Sequence, residues 1–166
     1  HDALPIWSSM LIAAFYQNIM RMEPKTGKLT QLEIPDMEHC IRRSVFIPTD
    51  MHQDKDGYVW IGTVSNGLLR YDPKTNTMTR IAGLSCSDVA GIEEGHQGNL
   101  WISTMKGLNR LDTKTGRITS LYKADGIGGD EFCDRASCVL PNGSLVFGGT
   151  DGITIFDPAD IDTLRR

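Results

Sequence analysis

Nucleophiles, general bases and metal ligands would first be sought among four histidines (His1, His39, His52, His96) and four cysteines (Cys40, Cys86, Cys133, Cys138). No histidine stands near a GxSxG, HExxH or phosphate-loop pattern. The cysteines include no CxxC and no partnered histidine pair, so they fit no metal pattern. They read as buried or idle thiols, although Cys133 and Cys138 could pair across a tight bend. Asp54-Lys55-Asp56-Gly57 looks like the start of a calcium loop but lacks the later ligands. We therefore expect no catalytic group, no metal site and no cofactor in this chain.

Two segments carry charges suited to a ligand, Asp36, Glu38, His39, Arg42 and Arg43, then Asp130, Glu131, Asp134 and Arg135. Guanidinium forks and carboxylates brought together suit an oligosaccharide or an acidic sugar, which needs directional hydrogen bonds and charge pairing. The plainer alternative is solvated loops with local ion pairs. The candidate ligand contacts are Arg42, Arg43, His39, Asp130, Glu131 and Arg135, with the two adjacent arginines first.

The elements that must position these loops are announced by internal repetition. Asp56-Gly57-Tyr58-Val59-Trp60-Ile61-Gly62-Thr63 recurs as Gln97-Gly98-Asn99-Leu100-Trp101-Ile102-Ser103-Thr104 and again as Asn142-Gly143 through Thr150. Each copy is followed by a glycine and a second apolar strand: Gly67 to Pro73, Gly107 to Thr113, and Gly152 to Pro158. A degenerate copy opens the chain, where Arg21 to Gly27 matches Arg70 to Asn76. Equivalent acidic residues (Glu23, Asp72, Asp112, Asp157) lie 49, 40 and 45 residues apart. Such a period with several short strands per unit is the mark of a β-propeller.

The expected fold is thus all-β, a β-propeller fragment of about three to four four-stranded antiparallel blades. The blades fall near residues 1–35, 36–83, 84–124 and 125–161. The strands expected are Val45–His52, Tyr58–Thr63, Leu68–Tyr71 and Thr77–Ile81 in the second blade, and Val89–Glu93, Asn99–Thr104, Leu108–Leu111 and Arg117–Leu121 in the third. The fourth has Ala136–Leu140, Ser144–Phe147 and Ile153–Phe156. No segment shows sustained helical periodicity. Glycine-bearing pairs supply the positive φ of tight hairpins, and Trp60 and Trp101, at one repeat position, belong to the packing between blades. The loops leading into the inner strands (Asp36 to Ser44, Ala82 to Asp88, Asp125 to Arg135) then surround a central channel, together with Ser65-Asn66, Met105-Lys106 and Thr150-Asp151.

Composition agrees with a globular chain: 40% hydrophobic, 23% charged, net charge −4. Basic residues are scattered, which disfavours a nucleic-acid partner. No apolar run reaches the length of a membrane helix, and Met10 to Tyr16 lacks the basic leader of a signal peptide. A first residue other than Met suggests a piece of something longer.

These repeats resemble the propeller repeats of the ligand-sensing regions of hybrid two-component sensor histidine kinases, best known from Bacteroides-type bacteria. The family pattern reads D-x-x-G-x-[LV]-W-[IV]-G-T, a short loop, G-[LI]-x-R-[YF]-[DN], then x-T-G. The second unit matches nearly throughout, and the third departs at Ser103. The first unit is weak: Leu11 replaces Trp, Ala13 replaces Gly and Asn18 replaces the turn Gly. Gly129-Asp130-Glu131-Phe132 through Phe156-Asp157-Pro158 is similar to the closing blade of the family's second propeller, which a small β-sandwich, a membrane helix and a kinase follow.

The resemblance implies a non-catalytic, periplasmic segment that senses a glycan and signals through the remaining blades and downstream domains. Alternatives of other classes are a propeller lyase or hydrolase acting on polysaccharide, and a protein–protein scaffold. An incomplete ring exposes strand edges and apolar blade faces, so self-association through the open ends is also expected.

Overall fold

In a computed structural model of the chain, the described residues are 2–6, 9–13, 19–35 and 47–163. They form four antiparallel sheets in a row along the sequence. The first has strands β1 (Asp2–Ile6), β2 (Ser9–Ala13), β3 (Ile19–Met22) and β4 (Leu29–Gln31). The second has β5 (Pro48–Gln53), β6 (Val59–Thr63), β7 (Gly67–Asp72) and β8 (Thr77–Ile81). The third has β9 (Val89–Glu94), β10 (Leu100–Thr104), β11 (Gly107–Leu111) and β12 (Ile118–Leu121). The last has three, β13 (Phe132–Val139), β14 (Leu145–Gly149) and β15 (Gly152–Phe156). Each sheet is a plain meander, as in a propeller blade.

The strands arise where the sequence alternates or runs apolar. β6 and β10 are buried at every position, because each is covered by a blade on both faces. Trp60 packs with Val89, Ile92, Leu100 and Ile102 of the following blade. Trp101 packs with Ala90, Phe132, Leu145 and Phe147, and its ring lies 4.8 Å from that of Phe156. The tryptophans therefore fill the space between blades, as their spacing requires.

The hairpin turns are fixed by short-range polar chemistry. Asp54 accepts the backbone N–H groups of Asp56 and Tyr58 with one carboxylate oxygen and the indole N–H of Trp60, at 2.7 Å, with the other. The calcium-like tetrapeptide is thus a turn that also anchors the core tryptophan. In the next blade Gly95 takes the place of Asp54, and the buried Trp101 indole N–H has no acceptor among the described residues. At the outer hairpins Asp72 accepts the Lys74 N–H, and Asp112 accepts those of Lys114 and Thr115. Those donors hold both carboxyls below their ordinary range.

The structure departs from the sequence reading in three places. β13 begins at Phe132 rather than Ala136, because a bulge between Phe132 and Ser137 carries the extra residues inside the strand. A 3-10 turn (Lys123–Asp125) and a six-residue helix α1 (Pro158–Thr163) are present, both too short to show a period. Asp157 accepts the Ala159 N–H at the start of α1. Of the buried-or-idle reading of the cysteines, the buried half does not hold for Cys133 and Cys138, which are exposed; Cys86, Cys133 and Cys138 are free thiols, so Cys133 and Cys138 do not pair.

Candidate functional site

The first strands of successive blades lie side by side, and polar side chains bind them to one another. Ile92 of β9 donates its N–H to Asp50 of β5 at 2.8 Å. Two residues further along, His52 and Glu94 share a hydrogen bond of 3.1 Å. Ser137 of β13 donates to Glu93 of β9 at 2.8 Å. Arg135 reaches from β13 to β5, where its Nε donates to the Thr49 carbonyl at 2.9 Å. Three inner strands thus carry Asp50, His52, Glu93, Glu94, Ser137 and Arg135, which join neighbouring blades through four separate polar contacts.

The electrostatics of this set are uneven. Burial pushes the Glu93 carboxyl up, and the Asp50 charge adds to the effect; the Ser137 hydroxyl and His52 oppose it. Arg135 has a φ of 57°, a left-handed conformation uncommon for a side chain of its size. It sits within the β13 bulge, and the bulge aims its guanidinium across the inner strands. Carboxylates that accept and a guanidinium that donates can together bind a polyhydroxylated ligand.

The loops beside these strands are stitched from blade to blade. Asp88 accepts the N–H of Ser65 at 2.6 Å and its hydroxyl at 3.2 Å. Gly67 and Gly107 donate their N–H groups to the carbonyls of Ser87 and Asp130. Asp130 also accepts the Lys123 N–H, while Lys123 Nζ pairs with Asp151 at 3.0 Å.

Of the six residues proposed from sequence, Arg42, Arg43 and His39 lie outside the described residues. Asp130 ties two loops together, and Glu131 is exposed with its carbonyl accepting the Thr150 N–H. Arg135 joins the inner-strand set. Sequence reasoning passed over Asp50, Glu93, Glu94 and Ser137 because it looked only at loops. The available signal was two polar residues, Asp50 and His52, at alternate positions of an inner strand. Among the described residues no group of His, Cys, Asp and Glu could hold a metal ion. No helix among them is long and apolar enough to cross a membrane.

Comparison with known proteins places this geometry. Residues 43–65 match the family model described as the two component regulator propeller. A histidine kinase P4 of Formosa agariphila is 30% identical over 101 residues, 60% of this chain, and the chain spans 7% of that relative's length. Among solved structures, the extracellular domain of a protein assigned to a hybrid two component system of B. thetaiotaomicron superposes with a TM-score of 0.82 at 19% identity. That match covers 98% of this chain and 22% of the other. Virginiamycin B lyase from Staphylococcus aureus superposes at 0.65 and 18% identity, covering 92% of this chain and 54% of the enzyme. The chain is therefore a segment of a β-propeller in which residues 43–65 match the two component regulator propeller repeat.

Proposed function

We propose that the chain is a non-catalytic part of the extracytoplasmic sensing region of a two-component histidine kinase. Its ligand is an oligosaccharide held at the channel between the inner strands. The observation that carries this reading is the group of polar contacts made by Asp50, Glu93, Glu94, Ser137 and Arg135 between the inner strands of three blades. A ligand held there touches several blades at once, so binding alters how they sit together, as a sensor requires. Asp130 and Glu131, in the loop that leads into β13, are proposed as further contacts, together with the sequence candidates Arg42, Arg43 and His39. The similar proteins named above, a histidine kinase and the extracellular domain of a hybrid two component system, support this reading.

A second reading is a propeller enzyme that cleaves polysaccharide; the lyase of the same fold shows only that such propellers include enzymes. Calorimetric titration with oligosaccharides from plant and algal polysaccharides, with chromatography of the same mixtures, separates the two. Saturable binding with the sugars recovered intact is the expected outcome. Sugars shortened or dehydrated during incubation would establish the enzyme, and no heat from any sugar would overturn the glycan reading.

A further inference from the structure

The repeat places an arginine opposite the core tryptophan: Arg70 pairs with Trp60, Arg110 with Trp101, and Arg21 with Leu11. In the second blade the Arg70 guanidinium lies over both the Tyr58 and Trp60 rings, at 5.0 and 5.9 Å. In the third, Asn99 replaces the tyrosine and Arg110 lies over Trp101 alone, at 5.9 Å. In the first blade both aromatic positions are lost, to Ser9 and Leu11. Arg21 therefore has neither of the repeat's two rings beside it, and lies instead next to the Tyr71 hydroxyl of the second blade. Its Nε donates to the Ser9 hydroxyl at 3.1 Å and its Nη1 to the Asn76 amide oxygen at 3.4 Å.

The missing rings leave a cleft of about 390 Å³ between the first and second blades, lined by Arg21, Lys25, Lys28, Glu23, Ser9 and Asn76 among others. Three cations face one carboxylate there, although the whole chain is acidic. Glu23 is engaged within its own turn, where it accepts the Thr26 hydroxyl at 2.9 Å. Among the described residues none of the three cations makes an ion pair. The guanidinium is held by neutral partners, so its charge is directed but not neutralised.

We propose that this cleft is an oxyanion-binding site, taking a carboxylate or sulfate group, and that it is distinct from the inner-strand channel. A guanidinium with two ammonium groups supplies charge-assisted donors to such a group. Ser9, Asn76 and Glu23 supply hydrogen-bonding groups for hydroxyls carried beside it, so a uronate sugar fits the cleft better than a bare ion. The weak first repeat is thereby a repeat whose aromatic cover has been exchanged for a site.

The test is titration of the 166-residue chain with sodium glucuronate, sodium sulfate and glucose, followed by amide NMR. Saturable, mutually competitive shifts at residues 21–28 and at Asn76 are expected with the two anions and not with glucose. Added salt should weaken them, because the lysines are exposed. The Lys25→Ala/Lys28→Ala variant should bind about five-fold more weakly, as loss of two solvent-exposed charge contacts implies. Ser9→Tyr, which restores a ring beside Arg21 without removing charge, should abolish binding. Equal shifts with glucose, or unchanged sulfate affinity in the lysine variant, would overturn the proposal. Shifts confined to His52, Glu93 and Ser137 would instead locate the anion in the channel and overturn it equally. Because the readout is resolved by residue, failure of the channel reading leaves this result interpretable.

Discussion

Glu93 is a carboxyl that the fold holds at a cost to its own stability. Its carboxyl lies between inner strands, touched by Ser137 and near the charge of Asp50, and its pKa is raised by burial. A carboxyl whose folded pKa lies above its unfolded value stabilises the fold below the unfolded pKa. That contribution is lost as pH rises through the folded pKa. The chain should therefore lose part of its stability as pH rises from about 4 toward neutrality, the unfolded carboxylate range being the lower limit. Glu93→Gln keeps an acceptor for the Ser137 hydroxyl and removes the charge. We expect its Tm to exceed that of the parent at pH 7 and to match it near pH 4. Thermal unfolding at both values checks this, and a variant less stable at neutral pH would show that the charge is favourably held.

At the scale of the element, the repeat's small residue on the second strand governs how closely blades approach. A Cβ on Gly62 would meet Val89 Cγ1 at 2.5 Å and the Thr49 hydroxyl at 3.0 Å. In the third blade Ser103 stands at the equivalent place, opposite Gly91, and its hydroxyl donates to the Gly91 carbonyl at 3.4 Å. The departure from the pattern is thus matched by a glycine in the neighbouring strand. Gly62→Ala should destabilise the chain by about 1–3 kcal/mol through overpacking. Val89→Ala in the same chain should recover part of that loss, because it removes the clashing methyl groups. Chemical denaturation of the single and double variants measures the coupling.

For the whole molecule, the end faces of the blade row carry the residues that interior blades use against one another. On the last blade Ile153 and Ile155 are 66% and 61% exposed, and among the described residues β15 has no partner on its outer edge. Cys138, Val146 and Ile155 form one row across that sheet. On the first blade Met10 pairs with Met22 and Ile12 with Met20, on the face opposite Leu11 and Ala13. Two faces of unlike sequence, each suited to a neighbouring blade, favour head-to-tail contact between copies, which closes into a ring or runs on. Light scattering coupled to size exclusion should give a mass above that of one chain, 18.4 kDa. Ile153→Lys/Ile155→Lys should return it to one chain. A monomeric parent would show that the exposed faces are tolerated in water.

Strand order, blade size and the packing role of Trp60 and Trp101 were legible in the sequence, because each depends on neighbours close in the chain. A glycine-bearing turn, a two-residue alternation and a recurring tryptophan are local, and repetition multiplies the signal. The substitution of Leu11 for Trp was equally visible as a departure from the pattern. Contacts between blades were not legible. Asp50 meets Ile92, Glu93 meets Ser137, and Arg135 meets Thr49 across separations of 42, 44 and 86 residues. Their register is set by how each blade turns about the common axis, and by a bulge that nothing in β13's composition announces. The loss of two rings around Arg21 became a cleft only because blade packing brings Asn76 against the first blade. The sequence by itself determined the unit and its repetition; the tertiary structure decided which polar groups of different units meet, because only packing brings them within hydrogen-bond reach.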